Sequence, residues 1–151
     1  MTLDDEIRIK ISQLLDPPEM VDSWKRIADN LSDSFDWKGT KIDWSKTINH
    51  KSSQLLGNYP DWLSTIRKFI ADDDINVEIK KSQKIYYIND SSLDFAVCLT
   101  LKQFNKFLAF AIENIPQHHY FFDFLNKWCL VISFEGYVDF CLSQKKISLI
   151  H

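Results

Sequence analysis

At 151 residues the chain is long enough to bury a core without disulfides, metal or an obligate partner, and one domain spanning 1–151 is the expectation. Hydrophobic residues at 45% and aromatics at 14%, with three glycines and four prolines, exclude a disordered or low-complexity chain. A formal charge of −3 with mixed signs argues against a dedicated nucleic-acid module, although residues 1–36 hold nine carboxylates (Asp4, Asp5, Glu6, Asp16, Glu19, Asp22, Asp29, Asp33, Asp36) against four cations (Arg8, Lys10, Lys25, Arg26), an acidic stretch suited to a basic partner.

The first helix starts at Thr2, with Asp5 three residues on as in a capping box, and places Ile7, Ile11 and Leu14 on one face. Asp16-Pro17-Pro18-Glu19 supplies a cap, first-turn prolines and a carboxylate for a second helix carrying Met20, Trp24, Ile27, Ala28 and Leu31. Residues 33–44, DSFDWKGTKIDW, alternate Phe35/Trp37 and Ile42/Trp44 around Lys38-Gly39, which fits either a short hairpin or an ordered loop. Trp44, Ile48, Leu55 and Leu56 suggest a helix closed by Gly57, and Trp62, Leu63, Ile66, Phe69 and Ile70 one begun at Pro60.

After the acidic run Asp72-Asp73-Asp74, Ile75, Val77 and Ile79 alternate with polar residues and predict a strand, KKSQK a turn and KIYYIND the return strand. DFAVCLT reads as a third strand. It leads to a helix capped by Thr100, with Leu101, Phe104, Leu108, Ala111, Ile112 and Ile115 on one face and Pro116 as the stop. HYFFDF, KWCLVIS and YVDFCLS then form an antiparallel meander broken at Leu125-Asn126 and Glu135-Gly136. The predicted architecture is α+β: a helical N-terminal half, then an antiparallel sheet built of a hairpin, a strand, a helix and a three-stranded meander, with helices on one side. The terminal KKISLIH can extend the meander or pair with a second copy of the chain through an edge.

No apolar run approaches the ~20 residues needed to cross a bilayer, and MTLDDEIRIK is acidic where a signal peptide is basic and then apolar. The expected location is the cytosol, with no membrane partner. Cys98, Cys129 and Cys141 lack CxxC spacing and sit in apolar stretches, as buried free thiols do. No nucleotide loop, HExxH, GxSxG or EF-hand pattern is present, so neither a cofactor nor a metal is expected.

The sharpest catalytic grouping is His118-His119 followed by Asp123, Glu135 and Asp139, since imidazoles and carboxylates together can move protons. Adjacent strand residues point to opposite faces, so the two histidines do not readily share a site. Asp123 and Asp139 can face one another or a ligand, or supply ordinary outward polarity on a wet sheet face. Asp90 and Asp94, bracketing Ser91-Ser92, fit a turn. Trp24 and Trp62 fit core stripes, whereas Trp37 and Trp44, beside the Lys38-Gly39 turn, are expected at the surface.

The stretch from Tyr86 to Phe140, with YYINDSSLDFAVCL, a helix and then HHYFFDFLNKWCLVISFEGYVDF, resembles the C-terminal αβ part of small bacterial immunity proteins of the SUKH type. The resemblance leaves the N-terminal half unmatched. It implies a protein that binds and neutralises a cognate toxin, covering its active site or substrate groove. With catalytic motifs missing, a protein partner is the leading expectation and direct nucleic-acid binding is not expected. The expected contact surface combines Asp90, Asp94, Glu135 and Asp139 with Tyr137 and either Trp37 or Trp44 as aromatic anchors, because turns and strand ends carry function while core stripes are committed to folding. The rival reading is a small hydrolase or nuclease using His118 or His119 with Asp123, Glu135 or Asp139.

Overall fold

In the computed structural model, which describes residues 1–125 and 127–145, helices and an antiparallel sheet form the expected α+β architecture. In chain order these are α1 (Leu3–Ser12), β1 (Glu19–Val21), α2 (Trp24–Ser34), β2 (Trp37–Lys38), β3 (Lys41–Ile42), β4 (Thr47–Gln54), α3 (Tyr59–Ile70), α4 (Asp73–Lys81), β5 (Ile85–Asn89), β6 (Ala96–Leu99), α5 (Leu101–Asn114), β7 (His119–Asp123), β8 (Trp128–Ser133) and β9 (Tyr137–Ser143). Seven strands form one sheet in the order β1-β6-β5-β7-β8-β9-β4, and β2 and β3 form a separate hairpin. Residues 146–151, most of KKISLIH, and Asn126 of the turn between β7 and β8 lie outside the described residues.

The meander and the helix before it have the expected local causes. Thr100 and Gln103 cap α5 reciprocally, each side chain bonding the other's backbone N–H. Phe104, Phe107, Leu108, Ala111 and Ile112 then face the sheet, against Tyr87, Phe121 and Leu130. Thr2 and Asp5 form the corresponding box on α1.

Ile75, Val77 and Ile79 lie in a helix, α4, rather than a strand, with Ile75 and Ile79 buried and Val77 exposed. An i, i+4 apolar pair fits a helix as well as alternation fits a strand. What decides is the Asp72 carboxylate accepting from the N–H groups of Asp74 and Ile75, with Asp73 and Asp74 in the first turn and Lys80 and Lys81 in the last. The segment from Trp44 to Leu56 is a short 3-10 turn followed by β4 rather than a helix, because its polar TINHKSSQ run gains its hydrogen bonds from β9. The second helix starts at Trp24, not at Pro17: Met20 sits in β1, paired with Val97 on the sheet edge.

Helices also cover both sheet faces instead of one. α1, α3, α4 and α5 pack on the face carrying Ile85, Tyr87, Phe121, Leu130 and Phe140. α2 and the hairpin pack on the face carrying Tyr120, Phe122, Cys129, Val131 and Cys141, through Ile27, Leu31, Phe35 and Ile42. The Lys38-Gly39 turn is thus a hairpin, one of the two forms its sequence fits. Every strand residue from Ala96 to Leu99 and from His119 to Asp123 is buried, so these runs lack the alternation of a half-wet sheet. β4 closes the other edge, where a bulge and Lys51, ion-paired with Asp72 and Asp74, hinder strand addition.

Candidate functional site

A cleft of about 280 Å³ opens at one end of the second sheet face, where the hairpin stops covering it. β7, β8, β9 and β4 supply its floor through Tyr120, Val131, Asp139 and Ser52, whose register positions share that face. Lys41, Ile42 and Trp44 form one wall, and His118, Glu135 and Tyr137 stand at the sheet end.

Two local devices aim its histidines. Between Ile48↔Leu142 and Lys51↔Phe140 the β4 register slips by one residue, and Asn49 takes a positive φ of 54°. Such a bulge re-aims a side chain. Here it turns His50 toward the cleft, where Nε2 lies 2.7 Å from Asp139 Oδ1 and the ring stacks on Trp44 with centroids 4.5 Å apart. Asp139 is 7% exposed, so His50 supplies the hydrogen bond its carboxylate needs in a dry setting. The bond assigns the ring proton to Nε2.

His118 is set by the turn after α5. Asn89 donates to the carbonyls of Pro116 and His118, Asp90 Oδ1 accepts from the His118 N–H at 2.8 Å, and Gln117 adopts a φ of 74°. His118 Nδ1 accepts from the Phe134 N–H at 2.9 Å, which assigns the ring proton to Nε2. That nitrogen faces Glu135 Oε1 at 3.8 Å and Asp90 Oδ2 at 3.9 Å. The β8–β9 turn that carries Phe134 and Glu135 closes at Gly136, whose φ of 93° strains any other residue and whose ideal Cβ meets the Leu55 carbonyl at 3.3 Å.

Of the expected surface residues, Glu135, Tyr137, Asp139 and Trp44 line this cleft, and Asp90 adjoins it through His118. Asp94 is elsewhere in its loop, bonded to α1: its N–H donates to Asp4 Oδ1 and its carbonyl accepts from Arg8. Trp37 is half-buried, its Nε1 donating to the Ser32 carbonyl and its ring 6.2 Å from that of Tyr120, so it packs the hairpin onto the sheet instead of standing free. Trp44 is likewise half-buried.

Of the catalytic grouping, His118, Glu135 and Asp139 come together, whereas His119 and Asp123 do not join them. His119 is buried on the opposite face, 2.7 Å from the Tyr87 hydroxyl through Nδ1, and burial drops its pKa to about 3. Asp123 is buried at the far end of β7, where its carboxylate accepts from the N–H groups of Lys127 and Trp128 and shapes the turn into β8. Burial raises its pKa despite those bonds. His50 had no sequence signal, since it reaches the cleft only through a bulge in a segment that reads as a helix.

Phe134 and Tyr137, 59% and 44% exposed, stand at the sheet tip beside the cleft. Leu56 and Tyr59, also exposed, lie on the segment bonded to this turn: the Leu55 N–H donates to the Gly136 carbonyl, Trp62 lies against Gly136, and Tyr59 packs edge-on to Trp62. Among the described residues no helix is long and apolar enough to cross a membrane, and no group of His, Cys, Asp and Glu has the arrangement of a metal site. No protein-family model matches this chain, and no curated protein does.

Proposed function

We propose that the protein binds another protein through this sheet end and acts as an immunity or antitoxin-like inhibitor, neutralising a cognate bacterial toxin by covering its active site or substrate groove. The observation that carries the reading is the set of exposed apolar side chains at this sheet end: Tyr137 lines the cleft beside Glu135, Phe134 stands in the same turn, and Leu56 and Tyr59 follow Leu55, which is bonded to that turn, while Asp90 is bonded to His118. Clustered apolar side chains rimmed by charge mark interaction sites on otherwise polar surfaces. Carboxylates at the rim suit a toxin with a basic substrate groove and steer its approach.

The test is co-expression with the product of the adjoining open reading frame, with growth and binding as readouts. Wild-type chain is expected to restore growth and to bind. Glu135→Lys should weaken binding roughly tenfold, mainly by slower association that salt slows further, while Tyr137→Ala should mainly speed dissociation. Unchanged affinity in both variants would place the contact elsewhere.

One observation favours a second reading, a small hydrolase or nuclease: a buried aspartate orients His50 in a cleft that also holds His118 and Glu135, an arrangement suited to proton transfer. Turnover of ester or nucleic-acid substrates that His50→Ala and Asp139→Ala both abolish would establish this reading and displace the first.

A further inference from the structure

We infer that the cleft receives a single guanidinium group, an arginine side chain presented by the partner; this rests on the protein-binding reading above. The volume of about 280 Å³ lies at the lower edge of what small-molecule sites occupy, which fits one long side chain better than a cofactor. Its charge favours a cation. Asp139 and Glu135 line it, Asp90 stands close behind His118, and both imidazoles point Nε2 at carboxylates.

The fold already sets one cation of its own there. Lys41 Nζ lies 3.3 Å from Glu135 Oε2 at the mouth, with the two side chains 61% and 45% exposed. An ion pair this wet contributes little, so a partner's cation can replace the lysine at small cost. Ser133 also lines the cleft, its Oγ without a hydrogen-bond partner among the described residues. Tyr120, Tyr137 and Trp44 add aromatic surface.

Acceptors spread over floor and mouth, with rings between them, suit a planar group with five N–H donors better than a compact ammonium. Guanidinium also stacks on aromatic faces and gives up its hydration more readily.

The probe is Nα-acetyl-arginine amide titrated into the full-length, ¹⁵N-labelled chain, with the lysine and citrulline amides as comparators. The expected result is saturable shifts at the Trp44 indole and at the Ser133 and Tyr137 amides. Arginine should bind several-fold more tightly than lysine, and neutral citrulline should not saturate. Glu135→Gln should weaken arginine roughly three- to fivefold, and Lys41→Met should strengthen it. Scattered, unsaturable shifts, or equal responses to arginine and citrulline, would overturn the inference. If the adjoining gene product binds while the arginine probe fails, the inference alone is lost. If the probe binds while that product does not, the cleft recognises a cation and the inhibitor reading is lost.

Discussion

Replacing Phe121 by alanine is expected to destabilise the fold by about 3–5 kcal/mol. Phe121 is fully buried at the centre of β7, and its ring meets Tyr87 at 4.8 Å, Phe104 edge-on at 5.5 Å and Phe107 at 6.5 Å. It therefore joins α5 to the sheet through Phe104 and Phe107 and packs on the neighbouring strand through Tyr87, each ring pair carrying an increment beyond the apolar area it buries. Neighbouring strands hold the backbone on both sides of β7, so the site cannot collapse to fill the void. For a domain of this size the loss corresponds to a fall in Tm of roughly 6–20 °C. Phe124→Ala, at the partly exposed turn, should cost far less. Thermal unfolding of both variants followed by circular dichroism checks the pair.

The second large effect is acid sensitivity arising from His119. Its folded pKa is about 3, against an ordinary value of 6.5, because burial disfavours the imidazolium. Between those two values the unfolded chain binds a proton that the folded chain refuses. The stability contributed by the neutral ring is thus whole above about pH 6.5 and is lost as pH falls toward 3. Over the two units from pH 6.5 to 4.5 the loss is about 2–3 kcal/mol. Asp72, held below its usual range by Lys51 and by backbone N–H groups, adds to the acid loss. Asp123 acts in the opposite sense, since its raised pKa lets the folded chain take up a proton first. His119→Gln keeps a polar partner for the Tyr87 hydroxyl without the titration. Urea unfolding at pH 7.5 and pH 4.5 should show the wild type losing roughly 2–3 kcal/mol more than this variant. An equal loss in both would mean that His119 does not control the acid response.

Much of the architecture follows from short-range signals that act alone. Thr2 with Asp5, and Thr100 alone, announce two helix starts, and each forms as a reciprocal cap, the second completed by Gln103. The meander from His119 to Ser143 is legible because its β-rich runs are separated by turn residues. Where the sequence misleads, long-range pairing or a cap decides. TINHKSSQ has no strong period of its own and becomes β4 only because β9 offers it hydrogen bonds. Ile75, Val77 and Ile79 satisfy two periodicities, and Asp72 selects the helix.

The candidate site divides the same way. Glu135, Tyr137 and Asp139 fall on one face because alternation along β9 and its preceding turn puts them there. Trp37 looks exposed beside a turn, yet a hairpin folded onto the sheet half-buries it against Tyr120. Asp94 differs from Asp90 only in what lies nearby, and α1 is 86 to 90 residues away in sequence. His50 needed knowledge of a bulge, which depends on the partner strand and not on local composition.

In the proposed complex the partner covers the sheet end around the cleft. Amide hydrogen exchange of the chain, alone and bound to the adjoining gene product, measures this directly. The expected footprint is slowed exchange in residues 44–54, 89–92, 116–118 and 133–137, with the α5 face unchanged. Protection confined to α1 and α2, in the acidic stretch of residues 1–36, would rule out the sheet end as the contact and move the interface to the other end of the sequence.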